Sequence, residues 1–220
     1  LIRRQRQMCI RDRPSGQCPW GCEGRALCGQ GLTAGVDEAG RGPLAGPVVA
    51  AAIIFPPGEE IPEVGDSKRF SPRRREELYE IILSRALSWS VAVVGPREID
   101  ELNILRASLR AMAEAVRGLD PPPSALVIDG PHTVEGLEIP QRALVKGDGF
   151  CPLIGAASIV AKVTRDRIMS HYHRLYPQYG FAQHKGYPTQ SHREALKKYG
   201  PSPIHRRSFR LLPEADGERG

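Results

Sequence analysis

Apolar and polar positions fall into blocks along this chain, and from Thr33 onward the blocks read as regular elements. The small and apolar residues before Asp37 predict a strand buried on its sides, stopped by Gly40, Gly42 and Pro43. Gly46 to Phe55 is a nearly unbroken apolar run, a second buried strand. The link between them is too short for a helical crossover, so the pair should be antiparallel. Ser71-Pro72 predicts a helix start, with Ser as the cap and Pro in the first turn, and Leu78, Ile81, Ile82 and Ala86 as the buried face. Leu87 to Val94 predicts a third strand. Leu102, Leu105, Leu109, Met112 and Val116 recur at three- and four-residue steps, the period of an amphipathic helix. Short strands follow at 125–128 and 143–145, then a helix from Pro152 to about Ser170 and a last one from Thr189 to Tyr199. Antiparallel strands followed by strand–helix–strand units predict an α/β fold, a mixed sheet with helices packed on it.

A chain of 220 residues can bury a sizeable core. No run approaches the roughly 18 apolar residues of a membrane span, and Leu1 to Arg13 lacks the apolar centre of a secretory signal, so a cytoplasmic location is expected. The net charge of +6 is unevenly spread. Residues 32–159 carry 13 basic and 18 acidic side chains, whereas 160–210 carry 11 basic and two acidic ones, with aromatics interleaved. That is the footprint of a polyanion partner, nucleic acid first among them, with a solvated basic face as the alternative. Cys9, Cys18, Cys22 and Cys28 lie before the regular pattern at spacings that are not those of a standard zinc site. Residues 1–31 are expected to be a disordered or non-native leader, and 211–220 a flexible tail.

The candidate chemistry lies where strands end. Asp37-Glu38, Asp129 and Asp148 each follow an apolar run and precede a glycine within two residues. A solvated turn explains any one of them; three such endings suggest a shared site. Successive strand side chains point to opposite faces, so Asp37 and Glu38 share that site only if the backbone turns beside them. Converging carboxylates repel one another, and a hard divalent cation, Mg²⁺ or Mn²⁺, relieves the repulsion. Two such ions about 3.5–4 Å apart suit displacement at a phosphodiester, activating a water and stabilising the leaving 3′ oxygen. The chain has neither a Gly-x-Ser-x-Gly elbow nor a Walker loop. Another metal-dependent phosphoryl enzyme, or a nucleic-acid-binding module with a structural ion, would use the same acids.

Several segments closely resemble bacterial ribonuclease HII: Gly35-Val-Asp-Glu-Ala-Gly-Arg-Gly-Pro, Asp66-Ser-Lys, Val127-Ile-Asp-Gly, Val145-Lys-Gly-Asp, Ala156-Ala-Ser-Ile-Val-Ala-Lys, Tyr179-Gly-Phe-Ala-Gln-His-Lys-Gly-Tyr and His205-Arg-Arg-Ser-Phe. The resemblance runs from about Thr33 to Phe209. It implies a ribonuclease H-like mixed five-stranded sheet flanked by helices, in a catalytic domain over 32–210 that includes a helical C-terminal extension from about 171. The implied activity is endonucleolytic cleavage of RNA in RNA–DNA hybrids and at single ribonucleotides in duplex DNA, by a monomer, leaving 3′-hydroxyl and 5′-phosphate ends. Asp37, Glu38, Asp129 and Asp148 correspond to the family's metal-binding carboxylates. Gly40-Arg41-Gly42 corresponds to the loop that senses the ribose 2′-hydroxyl, and Tyr187 to the ring that stacks on the next deoxyribose. Lys68, Lys146, His184 and Lys185 are further candidate substrate contacts. Asp166, between Arg165 and Arg167, is expected to form an ion pair instead. Phe150 and Cys151 depart from the family pattern close to Asp148.

Overall fold

The computed structural model describes residues 31–59 and 70–212. Lys68, the Asp66-Ser67-Lys68 segment, the four early cysteines and most of the C-terminal tail lie outside the described residues.

Five strands form one sheet in the order β3-β2-β1-β4-β5: β1 Thr33–Ala39, β2 Val48–Ile54, β3 Ser88–Val94, β4 Ala125–Asp129 and β5 Gln141–Leu144. As expected, β1 and β2 are antiparallel, as are β2 and β3, while β4 runs parallel to β1 and β5 parallel to β4. Every residue of β2 is buried because both faces of the sheet are covered. One cover is the long helix α4, Pro152–Leu175, with α1, Pro72–Arg85, against it; the other is α3, Ile104–Arg117. Strand alternation sorts the core accordingly. Ala51, Ile53 and Val127 pack in the α4 layer. Val36, Ala50, Ala52 and Ile128 pack in the α3 layer.

Helix α4 lies close to the sheet because its first half is small: Gly155, Ala156, Ala157 and Ala161 are all buried. The strand reciprocates. A Cβ on Gly35 would run into the backbone of Leu153, so only glycine fits there. Ser71 caps α1, its side chain accepting from the Arg74 amide, and Leu78 and Ile82 are buried as expected, whereas Ile81 and Ala86 are only half-buried.

Two expectations shift. The 102–116 stripe is split: α2, Pro96–Leu102, ends at Asn103, whose φ of 69° breaks the helix and whose side chain caps α3 by accepting from the Leu105 and Arg106 amides. The buried face of α3 is consequently Ala107, Ala111, Met112, Ala115 and Val116, and Leu105 and Leu109 lie at its edge. The strand placed at 143–145 also begins and ends earlier. Val145 is exposed, and Gly147–Gly149 is a single 3-10 turn. Beyond α4 come a 3-10 turn at Pro177–Tyr179, the short α5, Phe181–His184, and α6, Gln190–Tyr199, capped by Thr189. These pack on Ala45 and Met169 through Tyr179, Phe181 and Ile204, so the C-terminal segment sits directly behind the loop that follows β1.

Among the described residues, no helix is long and apolar enough to cross a membrane.

Candidate active site

Strand register brings the first two acids together. Val36 pairs with Ile128 at the last rung of the parallel β1–β4 ladder, and both face α3. One residue further along, Asp37 and Asp129 therefore sit side by side facing α4. Glu38 faces the other way, sharing a recess with Leu105, Ser108 and Asp129. The chain does not turn between Asp37 and Glu38, contrary to the condition set from the sequence: pairing with β2 continues through Ala39 and Val49. The two acids share a cavity because the β1–β4 ladder ends just before them, which opens both faces of the sheet at this point. Asp148 arrives from the 3-10 turn after β5, and its amide donates to Asp129 Oδ1 at 3.4 Å. Gly147 makes that approach possible, since a Cβ there would crowd Ile154 and Leu144.

All four acids line one cavity of about 460 Å³. The Gly40-Arg41-Gly42 loop and Tyr187 form its rim, and Tyr187 is 42 % exposed. Ser158 and Lys162 approach from α4. Burial, then the neighbouring charges of Glu38 and Asp129, push the Asp37 carboxyl well above the usual carboxylate range; a Ser158 hydrogen bond and the Glu38 amide, 2.7 Å from Oδ1, oppose that shift. Glu38 is likewise raised, first by burial and then by Asp129, while Arg41 pulls the other way. Arg41 Nη1 reaches Glu38 Oε1 at 3.4 Å. Glu38 Oε2 is buried and, among the described residues, has no hydrogen-bond partner.

A buried, unpartnered carboxylate oxygen among mutually repelling acids is a site short of positive charge. Among the described residues no three His, Cys, Asp or Glu side chains already stand as a closed ligand set. The acids line the cavity without converging on one point. The donors are hard oxygens throughout, so the site fits Mg²⁺ or Mn²⁺ and not zinc.

The other sequence candidates are placed unequally. Lys146 sits on the exposed left-handed turn beside Asp148, with φ 58°. His184 and Lys185 line a neighbouring groove rather than the cavity. Both His184 nitrogens are occupied by backbone, Nε2 with Tyr179 O and Nδ1 with the Gly186 amide, so this ring holds its own turn. Lys185 Nζ donates to Ser170 Oγ at 2.8 Å. Asp166 pairs with Lys162, as expected of an ion-pairing residue. Cys151 is buried at the start of α4 and Phe150 points to solvent.

Ser158 and Lys162 carried no role in the sequence reading. Their signal was present: two polar residues four apart in an otherwise small and apolar stretch lie on one helix face. The buried arginines Arg165 and Arg206 gave no such signal. Arg165 donates to the carbonyls of Pro47, Ala45 and Lys185, with its guanidinium carbon 6.0 Å from the centroid of the Tyr187 ring.

Comparison with known proteins agrees with this architecture. The Ribonuclease HII family model matches residues 34–212. A ribonuclease HII of Syntrophus aciditrophicus is 56 % identical over 183 residues, covering 83 % of this chain and 86 % of that protein. The crystal structure of ribonuclease H2 from Pyrococcus horikoshii superposes with a TM-score of 0.70 at 30 % identity, covering 82 % of this chain and 94 % of the other. Bst ribonuclease HIII, solved in complex with Mn²⁺, shares the fold at 18 % identity and a TM-score of 0.64, over 88 % and 71 % of the two chains. The chain belongs to the ribonuclease HII family and is a ribonuclease H-type nuclease.

Proposed function

We propose that this protein cuts the RNA strand of RNA–DNA hybrids, and the backbone at a single ribonucleotide in duplex DNA, by two-metal-ion hydrolysis leaving 3′-hydroxyl and 5′-phosphate ends. The observation that carries the reading is the cavity itself: three acids at strand ends and a fourth from the turn after β5, one of them with a buried oxygen that has no partner among the described residues, under a rim of glycine loop and half-exposed tyrosine. Asp37, Glu38, Asp129 and Asp148 would hold Mg²⁺ or Mn²⁺. Bound divalent ions supply charge stabilisation at the phosphate and a water acidic enough to attack it near neutral pH.

The remaining roles fall to the chain's own residues. Ser158 fixes the Asp37 carboxylate by a hydrogen bond. Lys162, its ammonium held by Asp166, brings positive charge to the cavity wall next to the phosphate. The Gly40–Gly42 loop allows close approach of a ribose, and the 2′-hydroxyl is the one group that marks a ribonucleotide. Gly42 packs near the Tyr187 ring, where an added Cβ would lie 3.7 Å from Cε1, so loop and ring form a continuous rim on which a sugar can stack. From that rim a groove of about 760 Å³ continues between α1, α4 and α5, sharing Lys162 and Tyr187 with the cavity and carrying Arg75, Arg174 and Lys185. Its charge suits the phosphate backbone leaving the site.

The test is a DNA duplex with one ribonucleotide, incubated with Mg²⁺, Mn²⁺ or EDTA. Scission beside the ribonucleotide with either metal, none in EDTA and none in the all-DNA duplex is expected. An intact ribonucleotide duplex with both metals would overturn the reading.

A further inference from the structure

Arg206 lies beyond α6 in sequence but is fully buried beneath the loop that follows β1. Its Nε donates to Gly46 O at 2.9 Å and Nη1 to Arg41 O at 2.9 Å, while Nη2 donates to Gly40 O and, at 3.2 Å, to Pro47 O. Among the described residues no acid forms a salt bridge with it; backbone carbonyls solvate its charge. The residue is itself held fast. Its amide donates to Leu44 O, Phe209 lies 5.0 Å from its guanidinium carbon, and Asp100 accepts from the amides of Arg207 and Ser208 just beyond it.

Those bonds fix which way the loop faces. In a trans peptide the N–H points opposite to the preceding C=O, and the peptides flanking Arg41 are trans. With the carbonyls of Gly40 and Arg41 drawn inward onto Arg206, the amides of Arg41 and Gly42 point outward. Neither donates to any described group, and both residues line the catalytic cavity. Gly40, at φ 103°, completes the arrangement, because a Cβ there would strike Arg165 and Pro47 O.

We propose that Arg206 is a positioning residue for ribonucleotide recognition: it holds the Gly40–Gly42 loop so that the Arg41 and Gly42 amides stand ready to donate to a sugar oxygen, the 2′-hydroxyl that a deoxyribose lacks. The inference rests on the proposed function and adds to it the residue that sets specificity from behind the loop. A planar fork with five donors at fixed angles can bind four carbonyls at once; an ammonium cannot.

The test uses the full chain and two duplexes, one all-DNA and one with a single ribonucleotide. In Arg206→Lys, kcat/KM on the ribonucleotide duplex should fall by roughly 10- to 100-fold, the usual effect of losing an outer partner. Affinity for the all-DNA duplex in EDTA should stay within about twofold, as for a change that leaves phosphate contacts alone. In Arg206→Ala, added guanidinium ion should restore part of the lost cleavage. A folded Arg206→Lys that cleaves like the parent, or that loses affinity for both duplexes in equal proportion, would overturn the inference. A measurement on the parent needs no variant: amide exchange at Arg41 and Gly42 should slow with the ribonucleotide duplex and not with the all-DNA one, and equal protection by both would also overturn it. A parent that cleaves neither duplex defeats the proposed function itself; a parent that discriminates beside a variant that discriminates equally defeats only this inference.

Discussion

Two clusters of buried polar groups lie within one loop of each other and are treated in opposite ways. Behind the β1–β2 loop, Arg165 and Arg206 spend their donors on seven backbone bonds. Beside them two histidines form an ordered set. The Ser202 amide donates to His205 Nδ1, which fixes that tautomer; His205 Nε2 then donates to His192 Nε2 at 3.0 Å, and His192 Nδ1 donates to Tyr187 O at 2.9 Å. In front of the loop, the acids repel one another and Glu38 Oε2 has no partner among the described residues. A satisfied network rigidifies; an unsatisfied one is a place prepared for a ligand. The cationic scaffold holds the loop and the ring; under the proposed function, the anionic cavity would receive the ion and the phosphate.

The strongest way to break that contrast is Asp37→Asn. Activity should fall by more than the roughly 10–100-fold typical of an outer partner, while the unliganded protein becomes more stable at neutral pH because one repelling charge is gone. Equal melting temperatures for parent and variant would show that the cavity stores no such repulsion. Removing a scaffold cation should act in reverse. Arg165→Ala is expected to cost about 3–5 kcal/mol in denaturant unfolding, because it leaves a cavity and several carbonyls without donors.

The pH dependence separates the clusters by sign. Burial pulls His192 and His205 down to about 4 from the usual 6.5, so the folded protein keeps them neutral where the unfolded chain takes up protons. Their contribution is complete above about pH 6.5 and is lost as pH falls toward about 4. The raised Asp37 and Glu38 carboxyls do the opposite, costing stability as pH rises out of the carboxylate range. Urea unfolding of Asp37→Asn across this range should therefore show a steeper acid loss than the parent; parallel curves would remove the distinction. The smallest effect concerns the loop. Gly40→Ala should lower the melting temperature, since φ 103° and the Arg165 contact exclude a Cβ. Gly42→Ala meets only an ordinary contact with Tyr187 and should stay within about 0.5 kcal/mol of the parent by thermal unfolding.

Most elements were legible along the chain because burial imposes a period: the unbroken run of β2, the Ser71 and Thr189 caps and the antiparallel opening pair all follow from local patterns. Misplaced boundaries have local causes too. Asn103 breaks a stripe that looked continuous, and Lys146 adopts a left-handed turn that ends β5 early. The four acids stood out because each lies at or shortly after the end of an apolar run, but that Asp37 and Asp129 sit side by side depended on the β1–β4 register, a long-range pairing no neighbouring residue encodes.

Composition and periodicity thus determined the sheet, its helices and the acidic endings, since each depends on residues a few places apart. Tertiary structure alone decided that Asp37 and Glu38 use opposite faces of an unturned strand, and that Arg206 clamps a loop 166 residues before it. A buried guanidinium bound to carbonyls has no sequence partner to betray it: its acceptors are backbone, which every residue carries.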